Sequence, residues 1–575
     1  MQVLIGGTRL IFSLPAYALL AAAGLVTVFS LRTPKPQPDL VCLLSSGIFF
    51  GYILARATFS PVAYIARPDL YSVLGGLVVY FFIACIYTST RARSWLLLFL
   101  LTLALVHVAI GTIQFRDGNN FMLIPFLGRF DYGRRASGFY VGPNHLAGLL
   151  EVLAIFGTSL ACWSRFPIWS KLLIGYGTAI CFFGIVLTGS RGGYASTITG
   201  LLVFALLSLL LLRRAGRQLF WRVGAFGALA AMVLAGSVVF LMHKSDFLMQ
   251  RAHNIFDSTP LRLDLWRAAI KQWEMQPWIG TGSGTYLYYG RRFRIERMQQ
   301  DPIDAHNDYL HLLAEYGVIG GLLFLLFLFA HLRAGWKDFR QLGPKRVMLA
   351  RDLLSDQLAL NIGALASVGA YVVHSVVDFN LHIPANALLL AFVFGMLANS
   401  GGREESDREK AKVSSLWWRW LSPVLGLVLA VQSYRLLPGE YFAERARTAQ
   451  RDDRAEAAMA LASRGLMTEK QNPNLYQYLA SAEFARCDAI SDQQERVQCY
   501  QSPLDALEKA RALAPEDRTI LVQLALGYDA VGRYPQAEWA FYEARKWDPK
   551  SIYLNEVYKF HLNQWRAQAE AIRND

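Results

Sequence analysis

The sequence predicts an all-α protein: a polytopic transmembrane helical bundle of about twelve spans, one large extracytoplasmic loop and a C-terminal helical-repeat domain. Three observations predict it. The 575 residues are 54% hydrophobic and only 17% charged, whereas soluble chains are about one quarter charged. Apolar runs of about twenty residues recur from Arg9 onward, each long enough to cross a hydrocarbon core of roughly 30 Å. The last 135 residues instead read as polar, amphipathic helices.

The spans are expected at 9–30, 39–56, 71–90, 95–115, 144–162, 169–188, 194–212, 221–243, 308–331, 359–380, 383–399 and 416–437. The first run is as long as a spanning helix and lacks a basic leader, so no cleavable signal peptide is expected. Alternate loops are basic, at Arg32/Lys35, Arg91/Arg93, Arg165/Lys171, 213–222, 333–351 and 403–412. Positive-inside bias places these in the cytoplasm. The same bias accounts for the net charge of +14, and no groove-reading or base-stacking motif calls for a nucleic-acid partner.

The opposite face then carries 116–143, the boundary at Arg191, the loop 244–307 and the chain from about 438. Nine basic residues in 244–307 are nearly balanced by seven acidic ones, and long loops follow the charge rule weakly. The expected division is a transmembrane domain at 1–440 and a repeat domain at 441–575.

Within the repeat domain, Arg518 to Ser551 makes a 34-residue unit. Leu521, Leu524, Ala525, Tyr528, Ala537, Phe541, Ala544 and Pro549 fall at tetratricopeptide positions, where small and aromatic residues let paired helices interlock. Such repeats usually recruit partners or scaffold assemblies. Cys487 and Cys499 are the two cysteines in this polar region and would pair in an oxidising compartment. The other four lie in apolar runs and read as core residues.

Candidate chemistry gathers at span boundaries. Arg191 stands in Gly189-Ser190-Arg191-Gly192-Gly193, where glycines allow backbone to approach a ligand; the plain alternative is a snorkelling arginine. Arg262 follows Thr259-Pro260, a helix start, and a cation in a first turn opposes the local dipole while suiting a phosphate. Its plain alternative is a salt bridge to Asp264 or Asp257. His306 can accept a proton near neutral pH, and Asn307 could orient it or a substrate. Arg135 and Asn144 belong to a run, 134–145, whose paired arginines, aromatic and amide suit a phosphate-plus-sugar ligand; a structured re-entrant loop is the equal alternative. Asp378 lies at the outer end of a span, where an acid is a functional hypothesis by default; the plain alternative is a cap or an ion pair with an arginine.

Other signals carry no chemistry. Gly280-Thr281-Gly282-Ser283-Gly284 lacks the strand and lysine of a phosphate loop and reads as a flexible turn. No zinc spacing or Asp-x-Asp cluster is present, so metal-independent chemistry without a cofactor is expected. His311 and Glu315, one helical turn apart, are expected to bond to each other.

These pieces together resemble the O-antigen ligase/polymerase superfamily of bacterial membrane glycosyltransferases. The resemblance rests on Ser137-Gly138 with Pro143-Asn144, on Gly189-Ser190-Arg191-Gly192-Gly193, and on Arg262-x-x-x-Trp266 with Pro277-x-x-Gly280-x-Gly282. It continues with His306-Asn307-x-x-Leu310 and Glu315-x-Gly317-x-x-Gly320, covers about 130–335, and is supported by Val377-Asp378-Phe379. It implies transfer of a glycan from undecaprenyl diphosphate to an acceptor hydroxyl outside the bacterial inner membrane, with inversion at the anomeric carbon. The acceptor would be lipid A-core, a growing polysaccharide or a protein. Arg191 and Arg262 would hold the diphosphate, and His306 would act as general base. The periplasmic repeats would recruit an envelope protein or acceptor. Two other classes, a lipid-linked glycan transporter and a non-catalytic membrane scaffold, predict respectively midplane charges in internal repeats and indifference to loss of His306.

Overall fold

The computed structural model describes residues 1–31, 35–118, 120–124, 131–215, 217–253, 259–343, 350–401 and 416–574. The basic residues expected at Arg32 and 403–412 lie outside the described residues. Among the described residues there are helices and no strand, apart from one isolated bridge between Ile5 and Tyr140. Ten of these helices are long and apolar enough to cross a membrane. Two further expected spans are also helical: Arg217–His243, and the shorter Pro384–Ala398. The all-α polytopic class holds.

Helix Pro143–Trp163 is the axis of the bundle. Gly142 enters it in an extended conformation and Pro143 opens it, a position where a missing N–H costs nothing. Its apolar residues run round the whole helix, the pattern of an element buried on every side. It packs against Ile168–Thr188, Arg191–Leu212 and Asp356–Val377. Lipid gives little hydrophobic drive between helices, so close approach of small residues does the packing. Gly157 meets Thr178, Gly200 meets Ile155 and Gly363 meets Phe156 with no room for a methyl group.

One residue counted among the basic loops has a second use. The Arg93 side chain is buried and donates to the carbonyls of Ile83, Tyr87 and Asn399 at 2.6, 2.9 and 2.6 Å. Its charge ties three helix ends together.

The last spanning helix, Leu416–Arg451, packs along Leu10–Val26 and runs unbroken past position 440. Each helix after it, from Ala455–Thr468 to Ile552–Asn574, continues a stack of consecutive elements. Leu521, Leu524, Ala525, Tyr528, Ala537, Phe541 and Ala544 share one buried core. Cys487 and Cys499 form a disulfide.

This stack is fastened to the rest of the chain by charge. Asp548, fully buried, accepts from Arg294 of the loop at 2.8 Å and from Arg518 at 2.6 Å. Gln299 of the loop donates to the Lys550 carbonyl and accepts from the Ile552 amide, both at 3.0 Å. On the membrane side, Arg67 pairs with Glu469 and stands 3.6 Å from Glu440.

Candidate active site

The loop between the spans is a folded unit. Helix Thr259–Met275 lays Ala269 into a small core with Tyr286, Ala305 and Ala314, which seats it on helix Asp308–Leu342. That long helix is kinked at Gly317, whose φ is +66°. A side chain there would strike the backbone of Trp278, and one at Gly280 would strike the backbone of Glu315. Through this gap the glycine-rich segment docks: Thr281 and Gly282 donate their amides to the carbonyls of Ala314 and Glu315 at 3.1 and 3.0 Å. The Glu315 carboxylate accepts from the amides of Gly284 and Tyr286 at 3.0 and 2.9 Å. The expected flexible turn is therefore a tightly fitted clamp, because its three left-handed glycines are used for close packing.

His306 lies just before the kinked helix with φ +50°, a left-handed conformation that costs a non-glycine residue roughly 1 kcal/mol or more. Its carbonyl accepts from Trp266 Nε1 at 3.3 Å, which ties it to the helix bearing Arg262. Its Nδ1 stands 3.5 Å from Asp378 Oδ1, and its ring meets Phe379 edge-on at 4.6 Å. Asp378 is only 1% exposed. Burial raises its carboxyl, but the imidazoles of His306 and His374 outweigh burial and hold it well below the usual carboxylate range.

Asn307 is used as a helix cap. Its Oδ1 accepts from the amides of Tyr309 and Leu310, both at 3.0 Å. Only its amide nitrogen is left for the ligand-orienting role considered from sequence.

Arg191 opens helix Arg191–Leu212 directly after its cap, Ser190, which accepts from Gly193 N at 3.2 Å. Gly192 lies against Val377 and His374, and His374 Nε2 is 3.8 Å from Asp378 Oδ2. The start of this helix and the His306 loop thus converge on Asp378. Arg135 donates to the Thr188 carbonyl at 2.8 Å and to Asn144 Oδ1 at 2.7 Å. Those two residues support one another at the edge of the Gly189–Gly193 turn.

Arg262 is half-buried in the first turn of Thr259–Met275. The salt bridge to Asp264 considered for it is not made: Asp264 pairs with Arg267 at 3.2 Å and with Arg297. Asp257, the other partner considered, lies outside the described residues. Among the described residues neither Arg191 nor Arg262 makes an ion pair.

Sequence reasoning missed the supports behind this arrangement. Glu151, in the middle of the central helix, holds His374 Nδ1 at 3.0 Å from both carboxylate oxygens and accepts from Ser196. Its signal was an acid in an otherwise apolar span. His145 packs edge-on against Phe379 at 4.9 Å. His311 lies 3.3 Å from Glu315, as expected, and stacks at 4.1 Å on His382, which stands 3.1 Å from Asp308. Beside them a cavity of about 190 Å³ has mainly apolar walls, including Phe49, Phe50, Phe324 and Phe327, together with Asp308 and His382.

Fold and site together define a class: a multi-pass helical membrane protein with a histidine–carboxylate pair at span ends and arginines at the start of one span and in the intervening loop that make no ion pair among the described residues. Residues 176–325 match the family model described as O-antigen ligase, Wzy_C. The match takes in 150 of the 575 residues and supports an O-antigen ligase/polymerase superfamily domain over that segment. Arg191, Arg262, His306 and Asn307 fall inside the matched segment, whereas Arg135, Asn144 and Asp378 fall outside it. No curated protein matches the chain.

Proposed function

We propose that this protein transfers a glycan from undecaprenyl diphosphate to an acceptor hydroxyl on the extracytoplasmic side of the bacterial inner membrane. The observation that supports this reading best is the His306–Asp378 pair at 3.5 Å. A buried carboxylate facing Nδ1 fixes the ring and leaves Nε2 for proton transfer. The left-handed backbone of His306, tied down by Trp266, is the kind of conformation that concentrates at functional sites.

In this reaction the acceptor hydroxyl gives its proton to His306 Nε2 as its oxygen attacks the anomeric carbon. The bond from that carbon to the diphosphate oxygen breaks on the opposite face, inverting the configuration. The electron pair leaves with the diphosphate, where Arg191 and Arg262 balance the growing negative charge. The imidazolium is stabilised by Asp378. Arg135 and Asn144 position the Gly189–Gly193 turn and contact the donor, and the Asn307 amide reaches the sugar. The mostly apolar cavity beside Asp308 accommodates part of the isoprenoid chain.

The Cys487–Cys499 disulfide supports an oxidising compartment for the C-terminal stack. The acceptor is lipid A-core, a growing glycan or a protein, and the stack, docked on the loop through Asp548, recruits that acceptor or an envelope protein. Purified protein in liposomes, given undecaprenyl-diphosphate oligosaccharide and each acceptor in turn, tests the reading by mass spectrometry. A new glycosidic bond made by wild type and lost in His306→Ala is expected. Absence of any new bond, with folded protein and bound donor, overturns it.

A further inference from the structure

The histidine and carboxylate cluster next to the His306 loop has an organisation that the transfer reaction does not use. Asp304 comes from the loop, His311 from the first turn of helix Asp308–Leu342, and His382 from the short turn Asn380–His382. One ligand atom from each lies within 4.8 Å of the others. His311 is 4% exposed, and its Nε2 faces Glu315 Oε1 at 3.3 Å while its Nδ1 has no hydrogen-bond partner. His382 turns its Nδ1 to Asp308 Oδ1 at 3.1 Å, which leaves Nε2. Each imidazole is thus held through one nitrogen by a carboxylate and offers the other. That is how proteins orient histidines that ligate metals.

We propose that Asp304, His311 and His382 bind a first-row divalent cation, with Zn²⁺ the best fit to two imidazoles and one carboxylate. The site goes beyond the proposed transfer reaction and contributes no group to it. Zn–N and Zn–O bonds of about 2.0–2.1 Å require the ligand atoms, now within 4.8 Å of one another, to close round the ion and the stacked rings to tilt apart. The local field favours a cation. Asp308, Asp69 and Asp304 all act electrostatically on His382, so negative charge surrounds the position the ion would take. Bound there, the ion would fasten the loop carrying His306 to the kinked helix and to the turn that follows Asp378. This assigns a cation where the sequence pattern predicts none, because its ligands are separated by 7 and 71 positions and follow no local spacing.

The full-length protein in detergent, stripped with a chelator and titrated with ZnCl₂ by calorimetry, tests the site without reference to turnover. One Zn²⁺ per chain is expected. Asp304→Asn and His382→Gln should each weaken binding by more than the roughly 10–100-fold that loss of an outer hydrogen-bond partner costs. Their melting temperatures without metal verify that they fold. No stoichiometric binding by wild type, or undiminished binding by both variants, overturns the proposal. Should either variant fail to fold, the absorption spectrum of Co²⁺-loaded wild type decides: nitrogen and oxygen ligation supports the site, and thiolate charge transfer overturns it.

Discussion

His306 Nδ1 and Asp378 Oδ1 stand 3.5 Å apart, although 71 residues separate them in the chain. The distance is short enough for an ion pair and long for a well-formed hydrogen bond, an arrangement that tightens once the ring takes a proton. His306→Ala is expected to lower transfer by roughly 10²–10⁴ with little change in donor affinity, as for loss of a general base. Single-turnover rates beside donor-binding measurements check this. Wild-type rates in the folded variant would remove His306 from the chemistry.

Asp378 carries a pH signature. Its folded carboxyl lies well below the usual range, so its stabilising contribution is complete above the unfolded pKa of about 3.9 and is lost as pH falls through the lower folded value. The difference in melting temperature between wild type and Asp378→Asn should therefore shrink only below about pH 4. A difference that disappears between pH 7 and 5 would contradict this coupling.

Arg191 and Arg262 make no ion pair among the described residues, unlike Arg267, Arg291, Arg294 and Arg297 of the same loop. Replacing either with Ala should slow turnover by roughly 10²–10³. Lys should recover only part of that loss, since it keeps the charge and loses the planar fork. A pair of rates for each position, Ala against Lys, separates charge from geometry. Full activity in Arg262→Ala would mean that this arginine serves only the fold.

Asp548 joins the C-terminal stack to the loop by holding Arg294 and Arg518. Breaking a buried ion pair on one side leaves an uncompensated charge at a cost of about 3–5 kcal/mol. Asp548→Asn should loosen the stack from the loop, seen as faster amide exchange at 291–299 and 547–552. Unchanged exchange there would show the contact to be incidental.

The disulfide closes a loop between residues 12 apart, for which chain entropy gives about 3 kcal/mol. Cys487→Ser with Cys499→Ser should lower the melting temperature of the C-terminal stack and leave the spans unaffected. Circular dichroism on the full chain, with and without reductant, measures both effects.

How far the molecule can be read from its sequence depends on how local each cause is. Asn307 stands immediately before Asp308-Tyr309-Leu310, which is a helix-cap signal readable without a structure, yet the site context drew it toward a ligand role. The segment Gly280–Gly284 was legible as glycine-rich but not as a clamp, because its fit depends on the kink at Gly317, 33 positions after Gly284. Arg93 reads as a loop charge from its neighbours in sequence, whereas the structure buries it in the first turn of helix Thr90–Asp117 on three carbonyls that no local pattern reveals.

By itself the sequence determined the all-α, many-spanning class, the loop and boundary positions where polar chemistry could sit, and the 34-residue pattern of the C-terminal unit. These follow from hydropathy and periodicity, which act over one helix at a time. Only the tertiary structure decided that Asp378 faces His306, that Glu151 stands behind His374, and that Asp304, His311 and His382 meet. Such groups are brought together by packing across distant helices, where burial makes an unpaired charge costly and selects partners from anywhere in the chain.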